Sequence, residues 1–156
     1  TTKQLRQLAQ EIRLELIKFE QKINDKKLDV DVIFKEPQSM VSADADRIRQ
    51  VMTNLIDNAV KYAPEGALIT VGTHTVDDKC YVSVKNTGEA IPAEDLPFIF
   101  DRFYKADKAH TSGMGTGLGL SIAQHIIEQH GQKIQAVSNA GGTTFTFSLV
   151  KADKQN

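Results

Sequence analysis

Two hairpin-like segments constrain the fold of this chain more than any other feature of its sequence. Apolar and polar residues alternate in 67–76 and again in 79–86, with an Asp-Asp turn between them. A second pair of alternating segments, 133–139 and 143–150, is joined by a turn that contains two glycines. Alternation with a period of two is typical of half-buried strands, and short connections join antiparallel neighbours. The sequence therefore predicts two β-hairpins.

Three segments with helical periodicity accompany these strands. Apolar residues recur at steps of three and four over about 3–24, over about 44–63 and over about 117–129. This spacing predicts three helices, each with one buried face. Acidic residues favour the start of the second helix, and Pro64 with the following glycine ends it.

The remaining segments are predicted as a short strand at 30–34, a loop at 37–46 and a short helical turn within 94–100. The chain has 156 residues, which fits one ordinary domain. We therefore predict an α+β fold, an α/β two-layer sandwich with a mixed sheet and helices on one face, formed as a single domain over 1–156. Its core is expected at about 3–150 and a frayed tail at 151–156.

Charge and composition exclude several classes of function. The formal net charge is −1, so no global field attracts nucleic acid or anionic lipid. No apolar run approaches the length of about 20 residues that a membrane span needs, and the first residues are too polar for a signal peptide. A single cysteine, Cys80, excludes an internal disulfide and fits a reducing compartment.

The second helix carries an unusual polar edge in "NLIDNAVKY". Asn54, Asn58 and Lys61 fall within about 60° of one another on a helical projection, beside the apolar stripe, and Tyr62 lies on the same side. An asparagine oxygen is a ligand that suits Mg²⁺, a lysine suits phosphate, and a tyrosine offers a flat face to a base. The alternative interpretation is that the two amides cap or bridge backbone groups.

Three glycine-containing motifs follow. "NTGEAIP", 86–92, stands at the end of a predicted strand, and "GMGTGLGLS", 113–121, places alternate glycines before a helix. Such glycines expose backbone N–H groups to an anion, although a flexible hinge is an equally physical interpretation, and no Walker lysine follows. "GGTTFTF", 141–147, is a turn that enters a strand.

These motifs occur in an informative order: "NLIDNAVKY", "NTGEAIP", "IFDRFYK", "GMGTGLGLSIA" and "GGTTFTF". In that order they resemble the catalytic, ATP-binding domain of bacterial sensor histidine kinases, over about residues 3–150. The resemblance implies the ATPase fold shared with DNA gyrase and mismatch-repair ATPases. That fold has a mixed, largely antiparallel five-stranded sheet, three helices on one face and a mobile ATP lid, here at 101–116.

The resemblance also implies residue roles. Asn58 is similar to the asparagine that coordinates Mg²⁺, Asn54 to its polar companion, Lys61 to the lysine that meets the phosphates, and Tyr62 to the aromatic residue that flanks adenine. The catalytic residues that it implies are Asn54, Lys61, Arg102 and Lys105. Further implied ATP contacts are Asn86, Gly88, Ala90, Ile91, Lys105, Gly115, Thr116, Gly117, Leu118, Gly119, Leu120 and either or both of Thr143 and Thr144. The implied anchors of the lid are Phe98, Phe100, Phe103 and Tyr104.

Two departures from the family pattern affect the base-binding motif. Asn86 stands where the family usually has an aspartate that accepts a hydrogen bond from the adenine amine, and Ala90 stands where it usually has a glycine. Since a neutral acceptor lacks the charge-assisted part of that bond, we expect somewhat weaker adenine binding, and we expect Asn86→Asp to tighten it.

Asn54 bears on the type of reaction. The hydrolysing relatives have a glutamate at this position, and an asparagine cannot act as a general base. We therefore expect slow hydrolysis and transfer of the γ-phosphoryl group to a protein histidine. None of the four histidines of the chain has the sequence context of the family's acceptor: His74, His110, His125 and His130. The isolated chain is thus expected not to phosphorylate itself.

The resemblance implies partners as well. It implies a histidine-bearing dimerisation hairpin elsewhere in the same parent protein, and a response regulator downstream. The parent is expected to be a membrane-anchored homodimer with this domain in the cytoplasm, while the isolated domain is expected to be a monomer without membrane or nucleic-acid contact. Two alternatives stay open: a serine kinase of the anti-sigma-factor type or a hydrolytic relative, and a non-enzymatic nucleotide-binding module, for which Asn86 and Ala90 are the hints.

Overall fold

The computed structural model describes residues 4–36, 39–102 and 118–152. In chain order its elements are β1 (Gln4–Gln7), α1 (Leu8–Lys18), α2 (Glu20–Asp25), β2 (Asp29–Phe34), β3 (Met40–Ala43), α3 (Ala45–Tyr62), β4 (Leu68–Val76), β5 (Lys79–Asn86), a 3-10 turn (Leu96–Phe98), α4 (Gly119–Gln129), β6 (Ile134–Asn139) and β7 (Gly142–Val150).

The central sheet has five strands in the order β2-β4-β5-β7-β6. β2 pairs with β4 in parallel, and every other neighbour is antiparallel. Both predicted hairpins are confirmed, as β4–β5 and β6–β7. The short strand predicted at 30–34 is confirmed as β2, and it forms one edge of the sheet. The fold is therefore the predicted α+β class with a mixed five-stranded sheet.

One face of the sheet forms the hydrophobic core against the helices. Alternate residues of the central strands point into it, including Ile69, Val71, Cys80, Val82, Val84, Phe145, Phe147 and Leu149. The helices contribute the fully buried side chains Ile12, Val51, Met52, Leu55, Ile56, Ala123, Ile126 and Ile127. Burying one aliphatic side chain of this kind stabilises the fold by about 1.5–3 kcal/mol. The sheet and the helix packing thus fix the position of α3 and α4, which carry the polar motifs.

α3 is held at both ends by side-chain contacts. The Asp44 carboxylate accepts hydrogen bonds from the backbone N–H of Asp46, at 3.1 Å, and of Arg47, at 3.3 Å. At the other end the Lys26 ammonium donates to the carbonyl of Val60 at 2.7 Å and to that of Lys61 at 3.1 Å. Burial lowers the pKa of Lys26. A cap at the N-terminus and a cation at the C-terminus both complement the helix dipole.

The single helix predicted over 3–24 is wrong at its start and in its middle. Residues 4–7 form β1, which pairs antiparallel with β3, so a partner strand overrides the helical periodicity there. The helix then divides at Phe19, whose backbone (φ −99°, ψ 6°) closes α1 before α2 begins. Phe19 and Ile23 are nevertheless buried, so the apolar stripe continues through the break.

Two further expectations are corrected. The loop predicted at 37–46 contains β3, in which Val41 and Ala43 are buried; residues 37–38 lie outside the described part of the chain. Lys151 and Ala152, expected in a frayed tail, are paired: their N–H groups donate to the carbonyls of Asp78 and Met40, both at 2.8 Å. Residues 153–156 are outside the described part.

The other helical expectations hold with small changes. α4 begins at Gly119, and its buried residues are Ala123, Ile126 and Ile127, while Ile122 is 38 % exposed. The predicted helical turn within 94–100 is the 3-10 turn at Leu96–Phe98. Among the described residues, no helix combines the length and the apolar character that a membrane crossing requires.

Candidate functional site

The polar edge of α3 meets the start of α4 through one hydrogen bond. The Asn54 side chain donates through Nδ2 to the carbonyl of Gly119, at 3.0 Å. A Cβ placed on Gly119 would lie 3.8 Å from the Asn54 side chain, which shows how closely the two helices approach. Two motifs that are 65 residues apart in sequence are therefore in contact. At Asn54 this contact is also the bridge to a backbone group that the alternative interpretation predicts.

Asn58 lies one helical turn after Asn54 and is half-buried. Its side chain makes no hydrogen bond to any residue that the structure describes, so the interpretation of this amide as a bridge between backbone groups finds no support there. Among the described residues no group of three or more histidine, cysteine, aspartate or glutamate side chains could hold a metal ion. A hard cation at Asn58 would need most of its oxygen ligands from phosphate and water, which is how Mg²⁺ is usually bound.

Lys61 continues the edge by one more turn and forms an ion pair with Asp57. The two charged groups are 3.0 Å apart, and both side chains are 30 % exposed. Asp57 also lies 4.0 Å from the Lys22 ammonium. Because partly exposed pairs are worth only about 0–1 kcal/mol, a bound phosphate can compete with Asp57 for Lys61. Tyr62 follows Lys61 and is half-buried.

The first turn of α4 faces this edge. Leu118 occupies the N-cap without a side-chain cap, and the Ser121 hydroxyl donates to the Leu118 carbonyl at 2.9 Å. The first N–H groups of a helix have no partner within the helix, and the helix dipole favours an anion beside them. Leu118, Gly119 and Leu120 are half-buried. Gly115, Thr116 and Gly117 lie outside the described residues.

Asn86 stands at the end of β5 and is buried, with 6 % of its surface exposed. Its Nδ2 donates to the Thr87 carbonyl at 3.2 Å. Its Oδ1 accepts no hydrogen bond from any residue in the described part of the chain. Thr143 of β7 is its directly opposite partner in the antiparallel ladder and is equally buried. A buried oxygen without a donor is costly, so this position favours a ligand that donates a hydrogen bond.

Ser138 connects the loop after Asn86 to the β6–β7 hairpin. Its hydroxyl accepts a hydrogen bond from the backbone N–H of Ile91 at 2.7 Å and lies 2.7 Å from the Thr143 hydroxyl. Thr143 lies on the sheet face of Asn86, whereas Thr144 points to the opposite face, because successive strand residues alternate. Of the two candidate threonines, only Thr143 therefore shares a face with Asn86.

Two glycines permit close backbone approaches at this end of the site. Gly88 has φ +146°, and a Cβ there would lie 3.0 Å from Cδ of Pro64, just after α3. Gly142 has φ +126°, and a Cβ there would lie 2.2 Å from the carbonyl oxygen of Asn86. The Asn86 loop is thus held between the end of α3 and the start of β7.

Of the implied lid anchors, the structure describes Phe98 and Phe100. Phe98 is 56 % exposed, whereas its neighbour Ile99, which was not an implied anchor, is 1 % exposed. Phe100 packs edge-on against Phe145, with ring centroids 6.0 Å apart, as expected of an anchor. Ala90 and Arg102 are exposed. Lys105, Phe103 and Tyr104, with the rest of 103–116, lie outside the described residues.

The described histidines occupy packing or surface positions. His74 stacks on Tyr81 with ring centroids 5.2 Å apart. His130 joins two helix ends: its Nε2 accepts from the Asp44 N–H at 3.2 Å, and its Nδ1 lies 2.9 Å from the Ile126 carbonyl. One N–H facing Nε2 and one carbonyl facing Nδ1 select the tautomer with the proton on Nδ1. His125 is exposed, and His110 is outside the described residues.

Sequence reasoning missed Ser138, Gly142 and Ile99. A signal existed for Ser138, since it is a polar residue in phase with Ile134 and Ala136 on the core-facing side of β6. Gly142 and Ile99 lie in the motifs "GGTTFTF" and "IFDRFYK", but the sequence does not reveal the close approach at Gly142 or the burial of Ile99, because both depend on contacts across the fold.

The described residues give the candidate site two chemically different ends. A buried acceptor and a buried hydroxyl lie at the ends of β5 and β7, and two asparagines and a lysine follow α3 towards the start of α4. From Asn54 to Tyr62 the edge of α3 extends for about 12 Å. Such an arrangement suits an elongated ligand with a polar ring at one end and anionic groups at the other.

Comparisons with known proteins identify the family of this chain. Residues 43–153 match the family model described as histidine kinase-, DNA gyrase B-, and HSP90-like ATPase. The sensor histidine kinase WalK of Bacillus subtilis is 45 % identical over 119 residues, which are 74 % of this chain. The chain spans only 20 % of the length of that relative.

Solved structures of histidine kinases also match this chain. The catalytic domain of histidine kinase ThkA superposes with a TM-score of 0.87 at 34 % identity, over 97 % of each chain. Histidine kinase ThkA in complex with the response regulator protein TrrA matches with a TM-score of 0.83 at 32 % identity, over 99 % of this chain and 43 % of that one.

Proposed function

Since the chain belongs to the histidine kinase-, DNA gyrase B- and HSP90-like ATPase family, and within it to the catalytic domains of histidine kinases, we propose that it binds Mg²⁺-ATP and transfers the γ-phosphoryl group to a protein histidine. The acceptor histidine lies on a separate dimerisation hairpin of the same parent protein. The phosphoryl group is then relayed to a response regulator.

One observation carries this proposal: the hydrogen bond between Asn54 and the Gly119 carbonyl. It brings the amide edge of α3 against the first turn of α4, where backbone N–H groups and the helix dipole favour an anion. A triphosphate between the two would meet Asn58 and Lys61 from one side and the helix start from the other.

The donor set fits the metal that such a nucleotide carries. Asn58 offers a neutral oxygen that makes no hydrogen bond to the described residues, and the phosphates supply further oxygens. Bound Mg²⁺ neutralises charge on the phosphates. Lys61, released from Asp57, and the candidates Arg102 and Lys105 add positive charge to the phosphate end. At the other end Asn86 and Thr143 contact the base, beside Gly88 and Ile91.

Asn54 is the reason that we expect phosphoryl transfer to a protein rather than hydrolysis. An amide has no basic lone pair at neutral pH, and its Nδ2 is already engaged with Gly119. The site can position the nucleotide, but it has no group at this position to take a proton from water. Catalysis therefore depends on orientation and charge neutralisation, as is usual for phosphoryl transfer.

The partners follow from the relatives. The chain covers a fifth of WalK, so the acceptor hairpin and the sensing region are expected in the rest of a longer parent protein. The complex of ThkA with TrrA supports a response regulator as the downstream partner. A homodimeric, membrane-anchored parent with this domain on the cytoplasmic side completes the proposal.

Calorimetric titration with a non-hydrolysable ATP analogue tests nucleotide binding directly. We expect binding with Mg²⁺ that weakens in EDTA, and we expect Asn58→Ala to abolish most of that difference. Asn24→Ala replaces an exposed asparagine of α2 and is the matched control, with no expected effect. Absence of binding at millimolar nucleotide with Mg²⁺ would overturn the proposal.

A further inference from the structure

The base-binding end contains an ambiguity that the proposed function does not resolve. An asparagine side chain carries a donor and an acceptor that exchange places when the amide turns over, and a threonine hydroxyl can donate or accept. Adenine presents an amine at C6 and an acceptor at N1, whereas hypoxanthine and guanine present a carbonyl at C6 and an N–H at N1. Asn86 and Thr143, free to reorient, would accept either pattern.

The Thr87 carbonyl removes the ambiguity at Asn86. It lies 3.2 Å from one end of the amide, and only the NH₂ end can favourably face a carbonyl oxygen. Turning the amide over would place two acceptors against each other at a residue that is 6 % exposed. In this low-dielectric setting an unmatched acceptor is costly, so Oδ1 is the end offered to the base.

The Ser138 hydroxyl removes the ambiguity at Thr143. The Ile91 N–H donates to Ser138 at 2.7 Å, and Ser138 in turn lies 2.7 Å from the Thr143 hydroxyl. Hydrogen bonds in a chain strengthen when they run in one direction, so accepting from Ile91 makes Ser138 the donor to Thr143. Neither hydroxyl has another acceptor among the described residues, and the Thr143 hydrogen is therefore left to donate to a ligand.

We propose that two groups that do not touch the base, the Thr87 carbonyl and the Ser138 hydroxyl, set the hydrogen-bond polarity of the two groups that do. The pocket then presents an acceptor at Asn86 beside a donor at Thr143, on one sheet face and directly opposite each other in the ladder. This pattern matches a purine with an amine at C6 and rejects one with a carbonyl there, even though residue 86 is an amide. The inference rests on the proposed function, since it concerns the same nucleotide.

Affinities for ATP and inosine triphosphate, measured by calorimetry with Mg²⁺, test the proposal, because the two nucleotides differ only at the C6 substituent and the N1 proton. We expect the wild-type chain to bind ATP at least about tenfold more tightly, since a buried acceptor facing another acceptor forfeits about that much. Asn86→Asp cannot donate, so it is the reference for an acceptor-only residue. Its second carboxylate oxygen faces the Thr87 carbonyl with either nucleotide bound, so only the ratio of the two affinities is compared. The wild-type ratio is expected to lie within about threefold of the Asn86→Asp ratio.

Ser138→Ala frees the Thr143 hydroxyl to accept, so the ratio of the two affinities is expected to fall by about threefold or more, while Ser138→Thr retains it. A purely structural role of Ser138 would weaken both nucleotides equally and leave the ratio unchanged, which would overturn the proposal. The proposal would also be overturned if the wild type bound ATP and inosine triphosphate equally well while Asn86→Asp strongly preferred ATP. That result would show that the amide of Asn86 turns over. Failure of the wild type to bind either nucleotide would instead overturn the proposed function.

Discussion

Replacement of Gly142 by alanine provides a sharp test of how the base-binding end is built. The new Cβ would lie 2.2 Å from the Asn86 carbonyl oxygen and 2.9 Å from Cα of Thr87, against 3.4 Å or more in ordinary contacts. Both neighbours are backbone atoms, so the start of β7 and the end of β5 must separate by about 1 Å. The residue would also keep a φ of +126°, which L side chains rarely adopt.

The cost has two parts. A left-handed backbone costs a non-glycine residue about 1–2 kcal/mol. Separation of the strands adds the loss of buried pairing at Asn86 and Thr143, about 1–3 kcal/mol. The two parts add to about 2–5 kcal/mol. For a chain of this size we therefore expect Gly142→Ala to lower Tm by at least about 4 °C.

Two other glycines supply matched controls. Gly66 has φ +82° with nothing within 4 Å of its Cβ position, so Gly66→Ala isolates the backbone term, about 1–2 kcal/mol. Gly141 meets only Oδ1 of Asn139, at 3.2 Å, and Gly141→Ala is expected to change little. Thermal melts followed by circular dichroism rank the three variants. Equal destabilisation by Gly142→Ala and Gly66→Ala would refute the close-approach argument.

Three further outcomes are expected. Asn54→Asp places a carboxylate against the Gly119 carbonyl and should weaken ATP binding about tenfold in calorimetry; unchanged affinity would contradict the role of this contact. His130→Ala removes the acceptor of the Asp44 N–H and should lower Tm by about 2–8 °C. An unchanged Tm would show that the contact between His130 and Asp44 does not stabilise the fold. Cys80 is 3 % exposed, and burial raises the pKa of its thiol, so at pH 8 iodoacetamide should react slowly until urea unfolds the chain; fast labelling of the folded chain would contradict the burial.

The parts of the fold that were predictable from sequence are those governed by local patterns. The alternation in β4, β5, β6 and β7 and the capped periodicity of α3 identify their elements within one or two residues. β1 and the break at Phe19 were not predictable, because a strand pairing with β3 and a local turn override a continuous apolar stripe. β3 has only four residues, too few for its alternation to stand out from a loop.

The candidate site also has parts that were predictable from the sequence and parts that were not. The edge of α3 is predictable because three residues on one helix have a fixed relation to one another, whatever the rest of the chain does. The contribution of Ser138 and the close approach at Gly142 depend on which strands pair and in what register, which one sequence does not specify. The exposed Phe98 beside the buried Ile99 shows that a run of aromatic and aliphatic residues does not reveal which of them is the anchor.

Phosphoryl transfer itself is the most direct test of the central proposal. The chain is incubated with Mg²⁺-ATP labelled in the γ-phosphate, with and without a histidine-bearing dimerisation hairpin supplied as a separate protein. We expect acid-labile, alkali-stable label on the hairpin, no label on this chain, and little free phosphate. Label on the chain without the hairpin, or release of phosphate to water as fast as transfer, would contradict the proposal.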